Sequence, residues 1–310
     1  MSNSMDISVI VPVYNGSKCL IELFERTQKT MIEMKKSFQV IFVDDFSSDN
    51  SWNVIQELKK TYTDNVVGIK LAKNFGQHNA TLCGIEHSIG DYIVTIDDDL
   101  EFSPEDIALL IAKEIDTKDE LIYGVDLNKK QSTTRKLFSK LYKSAAKIVE
   151  GNDKCTGSSF RLIKKSLAKS ILQHQRIFSF IDEFLIWHTA KISIVNVTCK
   201  DSMRGKSRYS FWGLISMTKE LILFNSIAPL RIVTTIGSLM IFTNLFFGLI
   251  ILYRKLILSI HVEGYTSLII AILFSSGVII FSLGIIAEYI SKLIKMSYGQ
   301  PAYKEDEVLN

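Results

Sequence analysis

The chain has 310 residues, and its 36 Lys+Arg against 33 Asp+Glu leave a net charge of only +3. That length excludes a disulfide-stapled mini-protein and allows one large domain or two modest ones. The 47% hydrophobic content and the near balance of charge exclude a disordered chain and a strongly basic nucleic-acid binder, so no nucleic-acid partner is expected.

From the N-terminus, apolar β-rich runs alternate with amphipathic ones. Ile7–Val13, Gln39–Asp44, Val66–Leu71, Tyr92–Ile96 and Leu121–Val125 read as strands. Lys18–Lys35, Ser51–Tyr62, Gln77–Ser88 and Pro104–Ile115 have helical spacing. This alternation predicts an α/β fold: a mainly parallel sheet with helices on both faces. Ligands of such sheets bind outside the carboxyl ends of the strands, so the polar residues placed there carry the functional information. There is no GxGxxG at the first turn and no GxxxxGK[ST] anywhere, which argues against a dinucleotide oxidoreductase and excludes a P-loop.

The first strand ends in Pro12-Val13-Tyr14-Asn15-Gly16 and the second in Asp44-Asp45-Phe46-Ser47. An aromatic ring beside a carboxylate can stack on a base and accept its N–H groups. Taken singly, the two segments also read as a turn and a helix cap. The fourth strand ends in Asp97-Asp98-Asp99-Leu100-Glu101. Alternation places Asp97, Asp99 and Glu101 on one side, as hard oxygen ligands for Mg2+ or Mn2+. Such a cluster repels itself unless a cation or solvent compensates. A metal held there would bridge the phosphates of a nucleotide diphosphate. Cys19, Cys83, Cys155 and Cys199 lie far apart with no CxxC pair and with no His partner at ligand spacing, which predicts reduced cytosolic thiols and no zinc site.

Together, Ser8–Asn15, Asp44–Ser51, Lys73–His78 and Asp97-x-Asp99-Leu100, in that order and spacing, resemble the family 2 inverting glycosyltransferases of GT-A fold. Phe160-Arg161-Leu162, Gly205–Tyr209, Pro229-Leu230-Arg231 and Gly284–Ile290 extend the resemblance to the polyprenyl-phosphate group that includes dolichol-phosphate mannose synthase and bactoprenol glucosyltransferase. The resemblance implies that Pro12, Tyr14, Asp44 and Asp45 hold the nucleobase and ribose. It assigns Asp97 and Asp99 to the metal and diphosphate, with Asp98 beside them. Glu101 stands where the family usually has Gln, Gly16 replaces a common Glu, and Lys73 a common Arg; Lys keeps the charge but loses bidentate geometry.

Further along, Thr134–Val149 carries Arg135, Lys136, Lys140, Lys143 and Lys147 among apolar residues at helical spacing. The pattern suits a helix on an anionic membrane surface and equally a solvated helix packed on the sheet. Arg135, Lys136, Arg161, Lys206 and Arg208 are candidate ligands for the phosphate of donor or acceptor. Ser210–Ser226 reads as an interfacial helix. After it, 232–253 and 264–287 contain no Asp, Glu, Lys or Arg, and each is long enough to cross a bilayer. The expected organisation is a cytosolic GT-A domain (1–208), an interfacial helix (209–228), a transmembrane hairpin (229–290) and a cytosolic tail (291–310), which makes a multi-pass protein of the cell membrane.

The expected reaction is transfer of a sugar from a nucleotide diphosphate sugar, with UDP the favoured nucleotide, to a polyprenyl phosphate. Membrane lipids are partners, and oligomeric state is left open, a homo-oligomer included. Two alternatives stand beside it. A sugar hydroxyl of a lipid-linked saccharide could be the acceptor, with Asp182 or Glu183 as catalytic base. A catalytically degenerate membrane scaffold is the reading from another class.

Overall fold

The computed structural model describes residues 5–127, 158–172, 181–200, 264–297 and 302–310, with scattered helical positions between 235 and 253. The chain divides into two compact units. The first comprises Met1–Gln131, Lys154–Arg208 and Gly299–Asn310, and the second Ser132–Asp153 and Tyr209–Tyr298.

In the first unit, strands β1 (Ile7–Val13) and β2 (Phe38–Asp44) are buried at every position, as expected of strands covered on both faces. Their side chains divide by the two-residue period of a strand. Val9 and Val11 of β1 and Val40 and Phe42 of β2 join one apolar core, while Ile10, Ile41 and Val43 join the other. Helix α1 (Leu20–Glu33) closes the first core with Leu20, Leu23, Phe24 and Met31, the stripe made by i, i+3, i+4 spacing. Next come α2 (Ser51–Thr61), β3 (Val66–Leu71), α3 (Gln77–Glu86) and β4 (Tyr92–Thr95). A Cβ on Gly84 of α3 would lie 2.4 Å from Ile10 Cγ2, so this glycine is what lets α3 approach the sheet so closely.

The remainder of the unit is α4 (Ile107–Thr117), β5 (Leu121–Val125), β6 (Arg161–Lys164), α5 (Lys165–Leu172), α6 (Ile181–His188), β7 (Ile192–Asn196) and the chain-terminal strand β8 (Glu305–Leu309). The eight strands run in the order β7-β5-β6-β4-β1-β2-β3-β8. β4, β1, β2 and β3 are mutually parallel, as the sequence predicts. β6 is antiparallel to both β4 and β5, and β8 is antiparallel to β3. The chain winds outward from β1 through β2 to β3, then crosses back to place β4 on the other side of β1. The carboxyl ends of β1 and β4 therefore flank a topological switch point, where open α/β sheets form their ligand crevice.

In the second unit, helix α7 (Tyr265–Ser297) is 33 residues long. Counted over the described residues, no helix is long and apolar enough to cross a membrane, so the expected transmembrane hairpin is not shown by the structure. Residues 209–228, assigned from sequence to an interfacial helix, lie outside the described residues.

Candidate active site

Three of the loops that leave the carboxyl ends of the parallel strands contain a non-glycine residue in the left-handed region: Asn15 after β1 (φ 55°), Phe46 after β2 (φ 62°) and Leu100 after β4 (φ 57°). Such conformations persist only where surrounding bonds hold them, and they gather at ligand sites. The bonds are present. Asn15 Oδ1 accepts from Ser48 N at 2.8 Å, and Asn15 N donates to Ser47 Oγ at 3.0 Å. Gly16 N donates to Ser51 Oγ at 3.0 Å, and Tyr14 N to Asp98 Oδ2 at 3.2 Å. The first, second and fourth strand ends thus form one bonded rim. Tyr14 lies on it with its side chain half exposed, available to stack on a planar group.

Asp44 is fully buried, and burial pushes its carboxyl up despite hydrogen bonds from Ser47. Among the described residues its Oδ1 has no hydrogen-bond partner, a costly condition that a ligand N–H would relieve. Asp45 does something else. Its two oxygens accept from Phe75 N at 2.6 Å and Gly76 N at 2.8 Å, fastening the loop in which Gly76 takes φ 89° before α3. Pro12 lies in β1 opposite Val43.

Asp97 receives Gln77 Nε2 on one oxygen and Ser159 Oγ on the other, each at 2.6 Å. Burial, reinforced by the charges of Asp99 and Glu101, pushes its carboxyl up to about 6, against the lowering effects of Ser159 and Arg161. Asp99 Oδ1 accepts from Glu101 N at 3.1 Å across the Leu100 turn. Three carboxylates at one strand end, one of them raised chiefly by burial and further by the charges of the other two, form a hard-oxygen donor set that fits Mg2+ or Mn2+. A cation there would offset the repulsion that adds to the rise of Asp97.

Behind Asp97 lies a polar chain built from β4, β5, β6 and α6. Arg161 is buried; its Nε donates to Thr95 Oγ1 at 3.0 Å, and its Nη1 pairs with Asp182 Oδ1. Tyr123 Oη donates to the same oxygen at 2.8 Å. The half-buried ring of His78 lies near this pair; burial and the Arg161 charge lower its pKa, and Asp182 opposes them. Two residues singled out from sequence for different tasks, an acceptor-phosphate cation and a candidate base, are thus brought together as an ion pair. Glu183 lies in α6 beside Asp182, but its side chain is outside what is described, as are Arg135, Lys136, Lys206 and Arg208. Sequence reasoning gave no role to Gln77, although it lies in the Lys73–His78 segment, and missed Thr95, Tyr123 and Ser159. These three carry no local motif, and the partners of Ser159 and Tyr123 are 62 and 59 residues distant.

The expectation that no His stands at ligand spacing from a cysteine does not hold: Cys83 in α3 and His87, which caps that helix, are four residues apart. Their Sγ and imidazole nitrogen lie, with a carboxylate oxygen of Glu305 on β8, all within 4.8 Å of one another.

Residues 8–172 match the model of glycosyl transferase family 2, and residues 228–293 match that of the GtrB C-terminal hairpin. The chain belongs to glycosyl transferase family 2. It is a glycosyltransferase. The chain is 32% identical, over 98% of its own length and 92% of the relative's, to an undecaprenyl-phosphate 4-deoxy-4-formamido-L-arabinose transferase of Shewanella sediminis. It is 28% identical, over 96% and 92%, to the transferase of that name from Proteus mirabilis. A solved glucosyl-3-phosphoglycerate synthase from Mycobacterium tuberculosis, in complex with Mn2+, UDP-glucose and phosphoglyceric acid, shares the fold of the glycosyltransferase. It aligns with a TM-score of 0.50 and 16% identity, covering 71% of this chain and 78% of that one.

Proposed function

We propose that this glycosyltransferase moves one sugar from a nucleotide diphosphate sugar, a UDP-sugar, to undecaprenyl phosphate or a similar polyprenyl phosphate at the cytosolic membrane face. The observation that carries the reading is the juxtaposition of Tyr14, the orphaned Asp44 oxygen and the Asp97–Asp99 carboxylates around one switch point. It is combined with near full-length similarity to transferases named for undecaprenyl phosphate.

In this reading Tyr14 stacks on the base and Asp44 accepts its N–H. Asp97 and Asp99, with Glu101, hold Mg2+ or Mn2+, which when bound neutralises charge on the departing diphosphate. A phosphate oxygen of the lipid attacks the anomeric carbon in line. The bond to the diphosphate oxygen breaks, its electron pair leaves with the nucleoside diphosphate, and configuration inverts. A phosphate monoester, with a second pKa near about 6, is already an oxyanion at neutral pH and needs no strong base. The ion pairing of Asp182 with Arg161 favours this acceptor over a sugar hydroxyl, because a carboxylate committed to a guanidinium is a poor proton acceptor. Arg161 then braces the site from behind, and the acceptor phosphate falls to other cations, for which Arg135, Lys136, Lys206 and Arg208 are the candidates.

Membrane insertion belongs to the same proposal. Leu268, Ile272, Phe274, Ile279, Phe281 and Leu283 of α7 are all exposed, and 264–287 has no charged side chain. That apolar surface calls for lipid or a protein partner. Read over the full sequence, where the described residues alone show no such helix, the 24 residues 264–287 would make a helix about 36 Å long, enough for a hydrocarbon core of about 30 Å. The return of the chain into the catalytic sheet as β8 supports an even number of crossings, as a hairpin provides.

The test is a screen of sugar nucleotides, 4-deoxy-4-formamido-L-arabinose among the sugars, with purified protein and short polyprenyl phosphate. The expected result is a sugar-phosphate lipid plus one nucleoside diphosphate per turnover. Glycosylation of a lipid-linked saccharide alone overturns the acceptor, and absence of any transfer overturns the donor assignment. Release of the protein from membranes by alkaline carbonate sinks the anchor.

A further inference from the structure

We infer that Cys83, His87 and Glu305 form a structural site for a thiophilic divalent cation, Zn2+ in the first instance, that clamps the chain-terminal strand β8 onto helix α3. The site is separate from the Asp97–Asp99 cluster and does not depend on the acceptor chosen above. Cys83 in the last turn of α3 and His87, the residue that caps it, stand at i and i+4 and so lie on one side of the helix end, while Glu305 arrives from a strand 218 residues later in the chain. Glu305 Oε1 lies 3.6 Å from Cys83 Sγ and 2.7 Å from His87 Nε2. Thiolate, imidazole and carboxylate are the donor set of zinc sites.

Bonds of about 2.0–2.3 Å at tetrahedral angles place ligand atoms about 3.3–3.8 Å apart. The sulfur–oxygen separation already falls in that range. The nitrogen–oxygen separation is that of a hydrogen bond and must open by about 0.6 Å to reach the lower end of it. With Nε2–H of His87 as the donor, two protons converge on one carboxylate oxygen; a cation would replace both, the Cys83 proton passing to solvent and His87 binding as the neutral Nδ1–H tautomer. Cys83 is buried, whereas His87 and Glu305 keep 25% and 31% of their side-chain surface, which leaves an entry path and room for water as the fourth ligand.

The clamp has a mechanical role. Among the described residues β8 is an edge strand; Trp52 Nε1 donates to its Glu307 Oε2 at 3.2 Å, and just before it the Tyr303 hydroxyl donates to Glu86. Its sequence, Glu-Asp-Glu-Val-Leu, is rich in residues depleted from strands. A cation bridging Glu305 to α3 would neutralise part of that acidic segment and fix the return of the chain from the second unit to the sheet.

The experiment uses the full chain in detergent, stripped with chelator and titrated with Co2+, then with Zn2+. The expected result is one equivalent of Co2+ giving a thiolate-to-cobalt charge-transfer band, abolished by Zn2+. The band should persist in Asp99→Asn and Cys199→Ser and vanish in Cys83→Ser. In Glu305→Gln and His87→Gln the Co2+ affinity should fall by at least the roughly 10–100-fold that even an outer-sphere partner costs. Zn2+ should also slow amide exchange in 305–309 of the parent protein and not of Glu305→Gln. Absence of the band in the folded parent, its survival in Cys83→Ser, or an unchanged affinity in Glu305→Gln overturns the site. Because Glu305 is partly exposed, that variant tests the proposal even if Cys83→Ser does not fold.

Discussion

Replacing both members of the Arg161–Asp182 pair should destabilise the catalytic domain by less than the sum of the two single replacements. The Arg161 side chain is 3% exposed and that of Asp182 21%, so neither is a surface ion pair of negligible worth. Breaking a buried pair by removing one partner costs about 3–5 kcal/mol, because the survivor is left charged without compensation. Water reaching Asp182 reduces this, so Asp182→Asn should cost about 2–4 kcal/mol by leaving the guanidinium unpaired. Arg161→Met keeps the apolar stem and leaves the carboxylate its bond from Tyr123; it should cost about 2 kcal/mol. The double variant should recover about 2 kcal/mol of the summed loss. For a domain of this size each kcal/mol moves the melting temperature by about 2–4 °C. Thermal melts of the detergent-solubilised protein in all four combinations would read the coupling as roughly 4–8 °C of non-additivity. Strict additivity would refute the pairing and restore Arg161 as a cation available to phosphate.

Three further outcomes follow from the same geometry. Asp99→Asn should remove most turnover without lowering the melting temperature, and excess chelator should silence the parent enzyme until Mg2+ or Mn2+ is restored; full activity in chelator would end the metal role. Asp97, lifted to about 6, holds its proton to higher pH in the folded than in the unfolded chain. The associated stability is complete below about pH 4 and is lost as pH rises through about 6. Melting temperature in chelator should therefore fall across that window, by an amount equivalent to about 1–3 kcal/mol, and added Mn2+ should flatten the fall. Gly84→Ala should lower the melting temperature by the equivalent of about 1–3 kcal/mol, since its Cβ would lie 2.4 Å from Ile10; an unchanged melt would show that α3 can lift off the sheet at no cost.

The central sheet was legible because parallel strands buried on both faces are continuous apolar runs, and because helices of ten or more residues repeat an apolar stripe between them. β1, β2 and β3 lie where that pattern places them, and β4 ends one residue early at Thr95. The antiparallel strands were not legible. β6 is four residues long and β8 is acidic, so neither carries a periodic apolar signal. Their places in the sheet come from distant partners: β6 pairs with Tyr92–Thr95 and Leu121–Tyr123, and β8 with residues more than 200 positions earlier.

The site divides along the same line. Asp97 and Asp99 could be read because consecutive carboxylates at the end of an apolar strand are a local anomaly with few physical explanations. Asp45 was equally visible, yet its carboxylate is turned to the backbone of Phe75 and Gly76, a role set by a loop 30 residues away. Arg161 and Asp182 were each read from their own neighbours as facing a substrate. A buried guanidinium needs a counter-charge before it can serve any ligand, and the tertiary structure supplies it from α6. Cys83, His87 and Glu305 extend the point: a helix face holds two donors at a spacing the sequence does show, and only the antiparallel return of β8 supplies the third. Local chemistry was therefore readable where one strand end carried it whole, and unreadable wherever two distant elements each carried half.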